Sequence, residues 1–240
     1  MHRPGIIVLP FVISFMSLGA TACSGPEEAV IERFLTAARE SDRATLLSVA
    51  LDASSAGAPP ITIPAGTITE FDVVNTSEER REPFPTQALA QAVADAEAED
   101  AAFTERKIAY QEEHMAAIQR VLKAEGENAT LADEDAEIQR EWTTFREETA
   151  RHAKMVSDAR LRLEDLTSLI ELSASTPRNS VNGAKATGEM VTKDVTMSAP
   201  VTMADGQTFE KTLLMTLQRA SITGENEAEG RWIVTAVTER

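Results

Sequence analysis

Between Leu131 and Leu172 the chain has no glycine or proline, and its seam residues recur at steps of four and three. The series is Ile138, Trp142, Phe145, Thr149, His152, Val156, Ala159, Leu163, Leu166 and Ile170. A repeat averaging 3.5 residues keeps one stripe turned toward a partner helix, which confines the segment to a coiled coil. The stretch from Thr86 to Glu125 is likewise free of Gly and Pro, with Leu89, Val93, Ala96, Phe103, Tyr110 and Val121 along its stripe. Its alanines allow a second helix to approach closely. Lys123 belongs to the last turn, Gly126 suits a left-handed cap, and Thr130 with Asp133 forms a capping box for the second helix. So short a connection requires antiparallel arms, each roughly 60 Å long at 1.5 Å per residue.

The flanks read differently. Ser24 can cap a helix that carries Pro26 in its first turn and Glu27 and Glu28 at the positive end of its dipole. Its apolar face is Ala29, Val30, Phe34, Leu35 and Ala38, and Asp42 caps a second short helix. "SSAGAPP" is a loop, and "ITIPAGTITEFDVVN" reads as a strand whose first half is irregular at Pro64. After the hairpin, apolar Val191, Val195, Met197, Ala199, Val201 and Met203 alternate with Thr and Asp, giving a strand with one buried face. An Asp-Gly turn at Ala204–Gln207 leads into a strand with Phe209, Leu213, Met215 and Leu217 inward, and "RWIVTAVTE" closes a three-stranded meander. The fold class expected is α+β: a small antiparallel sheet packed on N-terminal helices, with a long antiparallel coiled-coil hairpin inserted. The divisions are 1–22, 23–85, 86–175 and 182–240.

Residues 1–22 read as a targeting signal. Arg3 supplies a positive start, Gly5–Gly19 is apolar, and Ala20, Thr21 and Ala22 precede Cys23, the only cysteine. That run resembles a bacterial lipobox, in which the thiol accepts diacylglycerol, although Ala20 stands where leucine is usual. Ala20-Thr21-Ala22 equally fits ordinary cleavage without lipid, and the apolar run is near the length of an uncleaved anchor. The absence of any second cysteine suits an exported chain and favours the lipoprotein. Ser24 after the cysteine implies, by the same resemblance, transfer to the outer membrane facing the periplasm.

A formal net charge of -16 repels phosphate backbones and anionic headgroups, so neither nucleic acid nor an electrostatic lipid surface is expected as a partner. Mature histidines are few: His114 and His152, both in the hairpin. They lie more than two helical turns apart in an antiparallel pairing, which rules out a shared metal. Thr149 and His152 are instead expected to form a polar layer that fixes register, with Lys107 opposite. Trp142 and Phe145 are expected in the core. Asp194 falls on the wet face of its strand, while Lys193 and Lys211 share the inward parity and are expected to snorkel from strand ends. No cofactor, metal or catalytic residue is expected.

"AVIERFLTAARESDRATLLS" and "TMADGQTFEKTLLMTLQRA…GRWIV" together resemble the nuclear transport factor 2-like (cystatin-like) fold, and more narrowly small bacterial lipoproteins that carry it behind the lipidated cysteine. In that family the sheet and helices form a cone that holds a ligand, pairs with a second copy or is simply filled. The inserted hairpin departs from the family pattern. The expected function is therefore that of a membrane-anchored envelope lipoprotein, non-enzymatic, contacting a protein partner or a second copy through its hairpin. The alternative is a cone that binds a small apolar ligand.

Overall fold

The computed structural model describes residues 25–51, 61, 66–176, 179–224 and 227–240, so the targeting segment, Cys23, Ser24 and Pro64 lie outside the described residues. The chain is an α+β protein built on two strands of 15 residues each, β4 (Gly188–Thr202) and β5 (Thr208–Ile222). They pair antiparallel along their whole length, from Gly188↔Ile222 to Thr202↔Thr208. Gly206 closes the turn at φ 83°, a conformation that favours glycine, and the Gln207 N–H donates to the Asp205 carboxylate over 3.0 Å. Three short pieces line the other edge of β4 in succession: β1 (Thr67–Ile68), β2 (Asp72–Thr76) and β3 (Arg80–Pro83). The expected single strand is thus a broken edge, and "RREP" belongs to it although no alternation announces it. On the far side β6 (Ala228–Glu229) and β7 (Ile233–Glu239) pair with β5.

Helices cover both faces. α1 (Pro26–Glu40) and α2 (Arg43–Val49) bury Ile31, Phe34, Leu35 and Val49 against Val191, Val195, Met197, Leu213, Met215 and Leu217. Asp42 caps α2 by accepting from the Thr45 N–H over 3.1 Å. On the opposite face the last turns of α4 (Ala136–Ala174) lay Leu169, Ile170 and Ala174 on Met190, Ala220, Ile222 and Ile233. β7 is consequently buried on both sides, with Val234 in one core and Ile233 in the other. Burying a side chain of this size removes it from water at a gain of about 2 kcal/mol, and that gain holds the helices to the sheet.

Two inward residues depart from expectation. Phe209 is 47% exposed, because β7 pairs with β5 only from Leu213 onward and no helix reaches past it. Lys193 does not snorkel from a strand end. It lies mid-strand on β4, its ammonium bonded to the Glu27 carboxylate at the start of α1 and 5.5 Å from the Trp232 ring centroid. Arg219 covers the same ring at 4.7 Å and joins Glu79 at 3.4 Å. Burial pushes the Glu27 carboxyl upward, but Lys193 and Arg219 outweigh it and hold the pKa below the ordinary value. The first turn of α1 is pinned to the sheet by this ionic cluster.

Candidate functional site

α3 (Thr86–Glu127) and α4 make the hairpin, with 42 and 39 residues. α3 packs principally on α4 and on the short 3-10 turn Asp133–Asp135 that precedes it. Neither hydrophobic core contains a residue between 86 and 165. Of the expected seam, Trp142 and His152 are buried, Ile138, Phe145, Val156 and Leu163 are half-buried, and Thr149 is exposed at the edge. A two-helix layer has only one seam and cannot enclose its flanks, which explains the partial burial.

The middle of the hairpin holds an aromatic cluster that the heptad pattern alone did not announce. Phe103, 1% exposed, stacks on His152 with centroids 4.4 Å apart and tilts on Phe145 at 6.0 Å. Tyr110 meets Phe145 at 5.0 Å and His114 at 4.4 Å. α3 breaks its helical geometry at His114, with φ -112° and ψ 18°. The Lys107 ammonium donates to the Thr149 hydroxyl over 2.8 Å and sits 5.9 Å from the Trp142 ring. His152 thus takes its place by stacking rather than by bonding Lys107. Its Nδ1, the Tyr110 hydroxyl and Trp142 Nε1 are buried without a well-formed hydrogen bond. Burial and the nearby Glu141 push the Tyr110 hydroxyl up to about 12. Tyr110 stays protonated at any physiological pH and offers no base.

The tip corrects the expected caps. Gly126 is still helical, and Asn128 takes the left-handed position at φ 50°. Asparagine tolerates that conformation next best after glycine, and the Ala129 N–H closes the end on the Ala124 carbonyl at 2.9 Å. Thr130 and Asp133 form no capping box. Instead the buried Asp135 carboxylate accepts two hydrogen bonds from Arg120, at 2.6 and 2.8 Å, which hold its pKa below the ordinary value. Arg146 clasps Glu125 in the same bidentate way, both bonds at 3.0 Å. Two ionic clamps therefore close the tip.

Between the basal halves of the arms lies an open groove of about 650 Å³. Leu89, Ala92, Ala96, Met155 and Ala159 form its floor. Asp95 and Glu99 stand on the α3 wall, Arg151, Lys154, Asp158 and Arg162 on the α4 wall. Lys154 is engaged with Asp158 at 2.7 Å. Among the described residues Asp95, Glu99 and Arg162 enter no ion pair.

Outside the hairpin, Asp194 accepts from Arg80 and Thr216, each at 2.9 Å, and so ties β4 to both neighbouring strands. Lys211 is bonded to Glu239. Both residues act as cross-strand braces. Among the described residues no group of three or more His, Cys, Asp or Glu could hold a metal ion, and no helix is long and apolar enough to cross a membrane. Comparison of the chain with known protein families, with curated proteins and with solved structures finds no match in any of the three.

Proposed function

We propose that this chain is an envelope lipoprotein, anchored through Cys23, whose body presents a helical hairpin to a protein partner or a second copy. The observation that carries the reading is the independence of the hairpin: residues 86–165 contribute nothing to either core of the body. A chain of about 80 ordered residues costs on the order of 1 kcal/mol or more of conformational entropy per residue, and here that ordering does not serve the body's own packing. The lipobox-like run ending at the only cysteine supports the anchor, and the nuclear transport factor 2-like resemblance of the body remains part of the proposal. A ligand cone is the weaker alternative, since Phe34, Met197, Met215 and Leu217 fill the space between α1 and the sheet.

The test removes five heptads from each arm, residues 93–127 and 131–165, keeping Asn128–Thr130 as the turn and Leu166–Ala174 as the cover of the sheet. Trp142 leaves with the excised segment, so Trp232 becomes the sole tryptophan and reports on the body. The trimmed protein is expected to keep a buried Trp232 and to lose hairpin-dependent cross-links in envelope membranes. Cross-links identical to those of the full chain would remove the reading.

A further inference from the structure

We infer that the basal groove is one half of a two-fold interface, and that its occupant is the same groove of a second copy of this chain. The inference rests on the proposal that the hairpin is the interacting element, and it names the partner.

The argument begins with charge. From Thr86 to Glu105 the α3 arm carries Asp95, Glu97, Glu99, Asp100 and Glu105 and no lysine or arginine. The α4 arm beside it, Arg151 to Arg162, carries Arg151, Lys154, Arg160 and Arg162 against Asp158 alone. Arg160 meets Glu97 at 2.6 Å on one flank of the hairpin. On the other flank the groove holds the acidic and basic walls apart, and among the described residues Asp95, Glu99 and Arg162 enter no ion pair.

Such a surface is self-complementary under only one arrangement. A two-fold axis parallel to the helices lays each α3 over the partner's α4, antiparallel, at equal height. Asp95 then faces Arg162 of the partner subunit, since the Glu97–Arg160 pair sets the two level on opposite walls of one groove. The alternative axis, perpendicular to the helices, lays α3 on α3 and brings Asp95 and Glu99 against their own copies. Like charges so placed repel, so the parallel axis is selected. The groove runs from Leu89 to Glu99, a length of about 15 Å at 1.5 Å per residue. Ala92, Ala96 and Ala159 let the layers approach, and Leu89 and Met155 are the knobs that interdigitate. The product is a four-helix bundle with both bodies at the same end. That arrangement suits two chains anchored in one membrane. An uncharged exposed stripe elsewhere on α3, Ile108, Met115 and Leu122, carries no comparable indication of its occupant.

The experiment is sedimentation velocity on the full acylated chain in detergent over a concentration series. Three variants accompany it: Asp95→Arg, Arg162→Asp and the two combined. Asp95 and Arg162 are both exposed, so none of the changes disturbs a core. The full chain is expected to dimerise, each single reversal to weaken the dimer about tenfold or more, and the double reversal to restore it. A monomer at every concentration overturns the inference, as does a dimer indifferent to both single reversals. If the chain is monomeric yet still loses envelope cross-links when residues 93–127 and 131–165 are removed, the hairpin reading stands and only the self-pairing falls.

Discussion

Asp135 shows how one side chain closes the end of an 80-residue excursion. Its carboxylate is buried, and Arg120 holds its pKa below the ordinary aspartate value. A depressed carboxylate contributes stability that is complete above the unfolded pKa, about 4, and is lost as pH falls through the lower folded value. Glu125 is lowered by Arg146 and acts in the same window. The hairpin tip is therefore expected to loosen in acid below about pH 4, and Asp135→Asn to lower stability at neutral pH while flattening that acid limb. Thermal melts followed by far-UV circular dichroism across the acid range check both. The aromatic cluster yields two further expectations. Phe103→Ala should cost about 3 kcal/mol, the lower end for a large buried ring, since the vacated space lies in a two-helix layer whose flanks are open to solvent. His152→Phe keeps the stack on Phe103 and removes a buried nitrogen without a partner, so it should raise stability by about 1 kcal/mol. Urea unfolding measures both, and a fall on His152→Phe would mean that the nitrogen is satisfied in solution.

At the scale of elements, what was legible depended on how many residues carried each signal. The seam from Ile138 to Ile170 repeats often enough to locate α4, and the Gly- and Pro-free run from Thr86 locates the start of α3 to the residue. Alternation from Val191 to Val201 locates β4 for the same reason. Signals carried by single residues misled. Gly126 was the obvious left-handed cap, but Asn128 bears the cost of that conformation at a site two residues further on. Thr130 and Asp133 had the spacing of a capping box, yet the tip closes through Asp135 and Arg120, fifteen positions apart. No local rule links those two. The groove was hidden for a related reason: it comes from the meeting of an alanine-rich acidic arm with a basic one, and each arm alone reads as a solvated face. An expectation follows at this scale. Ala92→Leu with Ala96→Leu should fill the groove floor, lengthen the lifetime of the hairpin by hydrogen exchange and weaken the proposed pairing in sedimentation.

The whole molecule is arranged so that its first helix and its arms meet on the same two strands. α1 starts at Pro26, and Glu27 is already bonded to Lys193 in the middle of β4. β4 pairs with β5 throughout, and β5 carries Ala220 and Ile222, on which the root of α4 rests. On the proposed acylation, only Ser24 and Gly25 separate the lipid-bearing residue from the first helical turn, a reach of about 10 Å even when extended. Inserting ten Gly/Ser residues after Ser24 should leave anchoring and melting temperature unchanged while reducing hairpin-dependent cross-links in membranes. Retention of the full cross-linking yield would show that the short connection is incidental. If Cys23 is acylated as proposed, the Glu27–Lys193 bond leaves the lipid end almost no slack. A long leash would let the hairpin swing like a flail, sampling every heading and meeting another arm rarely. With α1 bolted to the central strand and the root of α4 seated on the same sheet, the hairpin on the proposed anchoring would behave as a mast whose bearing is set by the sheet, so that neighbouring masts in one bilayer would stand side by side with matching heights.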